Sequence, residues 1–386
     1  MNIGTPTFSH SGEYLAFWCL RSMNEFGLYS MQFSSGQSRM ISILHGFPSG
    51  LTWSADDRRL IYADANAHGG LDEVTVASGS VKRIEIAGGP LLPNVSSQGD
   101  RLAFNSFFTI IGIWRRDLTH PESPPVEIVP ATRSQYDAQY SPDGKQIAFA
   151  SERSGAQSVW VSSADGSNLV QISNPHDPSG SPHWSPDGKR IAFDSKFLDH
   201  WEIYLADVSE GIPRKLNTNM SDVARPHWSR DGKWIYFMSN EPGRMGAYRC
   251  PAEGGDAVEL SKDTVGVEPQ ESFDGGMVYF ASGFRKPVLK EVAQRTLPGP
   301  ASEVDGLPRL LSETNWTPTA AGIYFVPADS PRSLRYFDFA TKRIRSIFEV
   351  DKDFASGLSV SPDGRSILYS QDGDLNSDIM LVDHFH

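Results

Sequence analysis

The sequence predicts an all-β protein of the β-propeller class, built from four-stranded antiparallel blades. Two observations predict it: a unit of about 44 residues recurs nine times along the 386-residue chain, and no long helical period interrupts the series. Four short strands in a repeat of this length are typical of one propeller blade. Each copy is anchored by a serine, or its substitute, at the start of a turn. The nine anchors are Ser9, Ser54, Ser96, Ser141, Ser185, Ser229, Ser272, Thr317 and Ser361.

The fourth copy shows why the unit should fold as a sheet. From Ser141 to Gly144 it reads Ser-Pro-Asp-Gly, which places proline where φ is near −65° and glycine where φ must be positive. Residues 145–151 alternate and favour a strand, and 159–161 and 169–172 supply two more. A strand before the turn completes a four-stranded antiparallel sheet.

The nine repeats fall into two groups. Residues 120–125 contain three prolines after the third repeat, so we place a boundary there, with three blades of a partial propeller in 1–124 and a six-bladed ring in 125–386. The last repeat ends after its third strand, 378–385. Because propellers hide their sheet edges by pairing strands from the two ends of the ring, Val126 to Pro130 is the expected closing strand. A single ring of eight or nine blades is the alternative.

Composition narrows the function classes. A net charge of −12 disfavours nonspecific binding to nucleic acid. No signal peptide or apolar stretch of membrane-spanning length is visible, so export would require sequence upstream of Met1. Cys19 and Cys250 lie in different repeats and leave the compartment undecided.

Motifs for catalysis and cofactors are missing from the sequence. There is no Gly-x-Ser-x-Gly nucleophile elbow and no phosphate-binding loop, and the Gly-Lys pairs at 144, 188 and 232 are turn residues. Asp372 to Asp378 spaces its oxygens like half a calcium loop, but Ser377 stands where that loop needs glycine. We therefore expect a hairpin there, and no catalytic residue, metal or cofactor.

Polar residues recur two and four positions before the turn anchors. Since successive strand residues face opposite sides, these positions share one face of each innermost strand, opposite a largely apolar column that carries aromatic residues in most repeats. Such a set from successive blades is expected at a channel mouth. The candidate ligand-binding residues are Asp137, Gln139, Ser181, His183, Arg225, His227, Glu268, Gln270, Glu313 and Asn315.

A structural role competes with ligand binding in this column. Buried polar side chains must find hydrogen bonds, so Gln and Asn at these positions are expected to satisfy the backbones of neighbouring blades. His183 and His227 leave both roles open. If they face a ligand, affinity should change across the histidine range of about pH 6 to 7.

The repeat Trp-Ser-Pro-Asp-Gly-Lys-x-Ile-Ala-Phe resembles that of TolB, the periplasmic propeller family of the Tol-Pal system. Residues 377–385, with 113–114, 151–155 and 228–232, resemble the C-terminal propeller of large bacterial regulators of acidobacterial type, in which a winged-helix DNA-binding or Ser/Thr kinase domain comes first. This resemblance implies a non-catalytic sensory or scaffolding module, with an extracytoplasmic location. Its expected partner is a protein, peptide or small ligand at the channel face, with no nucleic acid and no membrane insertion. The alternative is the propeller of a prolyl-oligopeptidase-like peptidase, or another hydrolase or lyase that uses the channel funnel.

Overall fold

The structure is a computed structural model that describes most of the 386-residue chain. Within the described residues it contains no α-helix, and therefore no helix able to cross a membrane. All regular structure there is β-sheet. The residues outside the description are 1–2, 23–24, 46–47, 65–69, 85, 87–89, 198–199, 210, 241–244, 261–264, 284–286, 295–296 and 386.

The strands form two compact units. The first unit comprises residues 1–109 and 374–386, and the second comprises 110–373. All strand pairs are antiparallel, and most sheets have four strands. The predicted all-β, multi-bladed propeller class is confirmed.

Five sheets of the second unit follow the chain order of their repeats. Their strands are β13 (Gln135–Tyr140), β14 (Gln146–Ser151), β15 (Ser158–Ser163), β16 (Val170–Gln171); β17 (Ser179–Trp184), β18 (Arg190–Phe197), β19 (His200–Asp207), β20 (Pro213–Lys215); β21 (Val223–Trp228), β22 (Trp234–Ser239), β23 (Gly246–Pro251), β24 (Val258–Glu259); β25 (Val267–Glu271), β26 (Met277–Ser282), β27 (Val288–Ala293), β28 (Ser302–Glu303); and β29 (Trp316–Pro318), β30 (Gly322–Phe325), β31 (Ser333–Asp338), β32 (Ile344–Glu349).

The sixth sheet combines two distant repeats. Its inner strands are β33 (Phe354–Val360) and β34 (Ser366–Gln371) from the last repeat, and its outer strands are β11 (Gly112–Asp117) and β12 (Val126–Ile128) from the third. β34 pairs directly with β11. The expected closing strand beginning at Val126 is therefore the outermost strand of this sheet, and β11 holds the place expected for 378–385.

Six apolar clusters close the second unit into a ring. Each cluster is shared by two neighbouring sheets, as Val161 and Trp184 are at the first interface. Four further clusters join the second sheet to the third, the third to the fourth, the fourth to the fifth and the fifth to the sixth. Ile113 of the sixth sheet packs with Tyr140 of the first. Since the sixth sheet contacts both the fifth and the first, the second unit is a closed six-bladed propeller.

The first unit holds three sheets in an open series. Buried clusters join its first sheet to its second and its second to its third. The third sheet has three strands, in the order β35-β10-β9. The strands are β1 (Ile3–Phe8), β2 (Tyr14–Ser22), β3 (Glu25–Gln32), β4 (Ser38–His45); β5 (Pro48–Trp53), β6 (Arg59–Asp64), β7 (Gly70–Thr75), β8 (Val81–Ile84); and β9 (Pro90–Val95), β10 (Arg101–Thr109), β35 (Leu375–Asp383).

The third and ninth repeats thus exchange their third strands. β10 pairs with β35 of the ninth repeat, while β34 pairs with β11 of the third. The division in the structure therefore differs from the boundary placed after residue 124, because 110–124 belong to the ring and 374–386 to the first unit. The residues around Asp372 likewise connect the second unit to β35 of the first unit and do not form the hairpin expected from the sequence.

Candidate functional site

The innermost strands of the ring share a backbone bulge four residues before the turn anchor. Register shifts interrupt the pairing there in five of the six sheets. L-residues rarely adopt positive φ, so bulky polar side chains at such positions store strain, which is commonly found at functional sites. The bulged residues are Asp137 (φ 52°), Ser181 (48°), Arg225 (55°), Glu268 (54°) and Gly357 (96°).

A charged cluster forms around Arg225. Its Nη1 lies 3.3 Å from Oε2 of Glu268 and 3.8 Å from Oδ2 of Asp137, and its backbone N–H donates to Oδ2 of Asp194 at 2.9 Å. Although burial disfavours its charge, Glu268 and Asp137 raise the pKa of Arg225. Burial raises the pKa of Asp137 to about 6, against the opposing effect of Arg225. One cation thus faces three carboxyl groups.

Two histidines pack beside this cluster. The ring centroids of His183 and His227 are 3.5 Å apart. Nε2 of His227 donates to Oε1 of Glu268 at 2.9 Å, and Nε2 of Gln139 donates to Nδ1 of His183 at 2.5 Å. Burial, reinforced by Arg225, lowers the pKa of His227 to about 3, and burial and the neighbouring ring lower that of His183. Burial therefore favours the neutral form of both rings, and the pH dependence of ligand affinity between pH 6 and 7 stays a prediction.

Two cavities lie along the channel. The inner one has a volume of about 40 Å³, room for one or a few waters. The outer one, about 730 Å³, opens at the turn end of the innermost strands and receives residues from all six blades. We call the outer cavity the mouth. Gln139, His183 and Gln270 line both cavities and form the floor of the mouth.

Comparison with known proteins finds one family model that matches part of the chain. Residues 137–305 match the TolB beta propeller domain. This match covers the first four TolB-like blades of the ring and contains eight of the ten predicted site residues. No curated protein sequence matches the chain.

Several solved structures are similar to the chain at low sequence identity and with TM-scores below 0.5. A putative TolB from Agrobacterium tumefaciens is 17% identical, with coverage of 92% of this chain and 99% of that one and a TM-score of 0.38. An oligogalacturonate lyase in complex with manganese is 17% identical, with coverage of 75% and 88% and a TM-score of 0.38. A puromycin-hydrolysing peptidase from Mycobacterium tuberculosis is 18% identical, with a TM-score of 0.45; 78% of this chain aligns with 52% of that chain.

The structure brings most of the predicted site residues together. The inner cavity is lined by Asp137, Gln139, Ser181, His183, Glu268 and Gln270. Arg225 and His227 join them through Glu268. In the fifth blade the innermost strand begins only at Trp316, whose indole donates to the carbonyl of Glu313 at 2.7 Å. Asn315 is directed to the next blade and donates to Ala355 O at 2.6 Å.

Some members of the polar column bond to neighbouring blade backbones, as the structural role requires. Oε1 of Gln139 accepts the N–H of Trp184 at 3.0 Å, and Ser359 accepts that of Tyr140 at 3.1 Å. Gln139 therefore links two blades while it also orients His183. The assignment of the ten residues to ligand binding stays a prediction.

Sequence reasoning missed the rim of the mouth. The residue after each turn anchor of the ring lines the mouth. Phe273 is 58% exposed, and the guanidinium of Arg230 lies 4.8 Å from its ring centroid. The repeat register contained the signal, because these residues share one column that had been interpreted only as turn chemistry. The column is Pro142, Pro186, Arg230, Phe273, Pro318 and Pro362.

Three side chains could together hold a metal ion. Donor atoms of His183, His227 and Glu268 lie within 4.8 Å of one another, and imidazole and carboxylate are ligands that zinc or manganese accepts. However, the carboxylate already accepts from His227 and pairs with Arg225. A metal would have to displace these contacts beside a fixed positive charge, so the hydrogen-bonded state fits the cluster better.

Proposed function

We propose that the TolB-like ring is a non-catalytic binding module that takes an apolar peptide segment of a partner protein at its mouth. The observation that carries this proposal is the mouth itself, whose volume of about 730 Å³ lies in the range of ligand pockets. Its rim is mostly apolar and its floor is neutral and polar. Ligand sites commonly combine apolar walls with a few fixed polar groups in this way.

The rim chemistry indicates the kind of segment. Four prolines and Phe273 offer stiff apolar surface, so little conformational entropy is lost when a partner covers them. Arg230 is the only cation among the described lining residues, and its backbone N–H is held by the buried Glu271. We infer that the preferred segment carries an apolar side chain and a carboxylate near Arg230.

Catalysis in the channel is the competing proposal. The hydrogen bond of 2.9 Å between His227 and Glu268, near the raised pKa of Asp137, is the observation that favours a hydrolase or lyase. These groups border an inner space of about 40 Å³, which admits water but no substrate group of useful size. Binding at the mouth requires no such access and is therefore preferred.

We infer that the module is the sensory or protein-interaction part of a bacterial regulator that works outside the cytoplasm. The support for this role is the repeat sequence and its resemblance to regulator propellers. It also agrees with the net charge of −12, which disfavours nucleic acid as the partner.

Selection of peptides would test the proposal. The immobilised chain is presented with random dodecapeptides on phage, and enriched peptides are synthesised and titrated by calorimetry. Phe273→Asp should raise the dissociation constant by roughly five- to thirtyfold, as loss of an interface hot spot does. Arg230→Gln should weaken only peptides that carry a carboxylate.

A matched variant controls for nonspecific effects. Phe197→Asp changes another half-exposed phenylalanine that does not line the mouth, and it should leave affinity unchanged. Peptides that bind the Phe273→Asp variant as tightly as the wild type would move the binding surface away from the mouth. If no peptide is enriched, the proposal that the mouth binds a peptide segment is contradicted.

A further inference from the structure

An aromatic residue of the first sheet of the first unit is exposed, although its counterparts in other sheets are buried. In the repeat register, the residue before each turn anchor packs against the preceding sheet. Trp53, Tyr140, Trp184 and Trp228 at this position are between 1 and 9% exposed. Phe8 occupies the same position in β1 and is 65% exposed. The sheet face that carries it, which we call the front face, has no preceding sheet in the first unit.

The third sheet of the first unit exposes the complementary surface. In the ring, Val159 and Val161 on β15 pair with β14 and receive the next blade, at 0 and 3% exposure. The matching positions in β35 are Ile379 and Leu381, which pair with the same register on β10. They are 81 and 58% exposed. This back face has no following sheet.

These two faces fit each other as consecutive blades do. At three of the six interfaces of the ring, an aromatic-bearing front face packs on an aliphatic back face. The first unit has two blade-to-blade interfaces, one between its first and second sheets and one between its second and third. Its ends are therefore one unused front face and one unused back face. Three sheets are also half of the six that close the ring of the second unit.

We propose that two copies of this chain join their first units, front face on back face at both ends, to form a second six-bladed ring shared between them. The two contacts are related by a twofold axis along the shared channel, so the assembly closes as a dimer and does not grow. A second copy fits because it supplies both missing faces at once. A different partner would have to imitate both.

The area is sufficient for a stable dimer. With strands about 4.8 Å apart and six residues of about 3.3 Å each, the four-stranded front face measures about 380 Å² and the three-stranded back face about 290 Å². The four faces of the two contacts then cover about 1,300 Å², within the range of specific protein interfaces. The back face carries the exposed Ile379 and Leu381, and the exposed ion pair of Arg101 with Asp383 lies on the same side of the sheet.

A hydrogen bond from a backbone N–H to a side-chain oxygen joins neighbouring blades elsewhere. Its acceptor and its donor are both present at the two open ends. Oε1 of Gln139 accepts the N–H of Trp184, and Thr52 Oγ1 accepts that of Val95 at 3.4 Å. The equivalent acceptor on the third sheet is the exposed Asn94, and the equivalent donor is the N–H of Phe8. In the shared ring, Asn94 of one copy would accept from Phe8 of the other.

The mass of the full chain in solution tests the dimer. Light scattering after gel filtration should give about 85 kDa, twice the 42.6 kDa of one chain. Ile379→Asp with Leu381→Asp should give the monomer mass, while Ile212→Asp, at an exposed residue outside both faces, should stay dimeric. Circular dichroism should show all variants folded, because the substituted side chains are exposed. A monomeric wild type at 100 μM chain would overturn the proposal.

A complementation experiment tests which face meets which. Phe8→Lys and Leu381→Glu should each be monomeric alone, because a charge is buried without a partner at both contacts. Mixed in equal amounts, the two variants should form a dimer of about 85 kDa, since lysine then faces glutamate at one contact and the other contact is wild type. A mixture that stays monomeric, or one that grows beyond a dimer, would contradict the front-to-back pairing.

Discussion

The two units are built from one repeat, yet only the second unit closes on itself. Its six sheets cover one another through six apolar clusters, whereas the three sheets of the first unit leave a face uncovered at each end. The repeat fixes how one blade packs on the next. Whether a ring closes depends on how many blades are contiguous and on which strand completes the last sheet. Here β11 completes the ring and β35 remains with the first unit.

The largest effect should come from the strand that closes the ring. Ile113 on β11 is fully buried between the sixth and first sheets. Ile113→Asp would bury a charge without a partner and should reduce the free energy of unfolding by about 4 kcal/mol. Val170→Asp, at an exposed residue of an outermost strand, should change it by less than about 0.5 kcal/mol. Urea unfolding of both variants would measure the difference. Equal stabilities would mean that β11 does not close the ring.

The next effect concerns the bulged column, which recurs in both units but carries charged residues only in the ring. Arg225→Gln removes the cation that faces Asp137, Asp194 and Glu268. Loss of one partner from a largely buried ion pair should cost about 3 kcal/mol, whereas Arg225→Lys keeps the charge and should recover much of it. Chemical denaturation at pH 7 measures both. A neutral Arg225→Gln variant would mean that the carboxyl groups do not need the guanidinium.

The buried histidines should make the ring sensitive to acid. The folded-state pKa of His227 is about 3, below the ordinary 6.5, so between these values the unfolded chain binds a proton that the folded chain does not. Stability contributed by the neutral ring is present above pH 6.5 and falls as the pH is lowered, by about 2 kcal/mol at pH 5. His227→Gln keeps a donor for Glu268 and should show a shallower loss of stability between pH 7 and 5. Parallel pH profiles for the variant and the wild type would contradict the assigned burial.

The smallest effect should follow removal of metal. Since Glu268 already bonds to His227 and Arg225, we expect EDTA to leave the melting temperature unchanged. Added zinc or manganese should shift it by less than about 1 °C. A rise of several degrees that is lost in His183→Gln would instead assign the cluster as a metal site.

The sequence predicted much of the fold and part of the site. The turn anchors located every blade, and strand alternation placed Asp137, His183 and Glu268 on one channel. The strand exchange could not be predicted, because β10 and β11 have the spacing of an ordinary hairpin within one repeat. The lowered pKa of the histidines was also out of reach, since it depends chiefly on burial and, for His227, also on Arg225 of the same strand. The column that lines the mouth gave a signal at Phe273 and Arg230, where other repeats have proline. A single sequence does not show whether such residues line a cavity or only form a turn.

Both the closed ring with its mouth and the open ends of the first unit depend on the exchange of third strands. Asp117 lies directly opposite Ser366 on β34, so Asp117→Cys with Ser366→Cys should form a disulfide under mild oxidation. Pairing within the third repeat would instead bring Asp117 near Arg101, which here pairs with Asp383. Peptide mapping of the two double variants decides between these arrangements. Exchanged strands should give a crosslink in Asp117→Cys with Ser366→Cys and none in Arg101→Cys with Asp117→Cys; the reverse pattern would contradict the exchange.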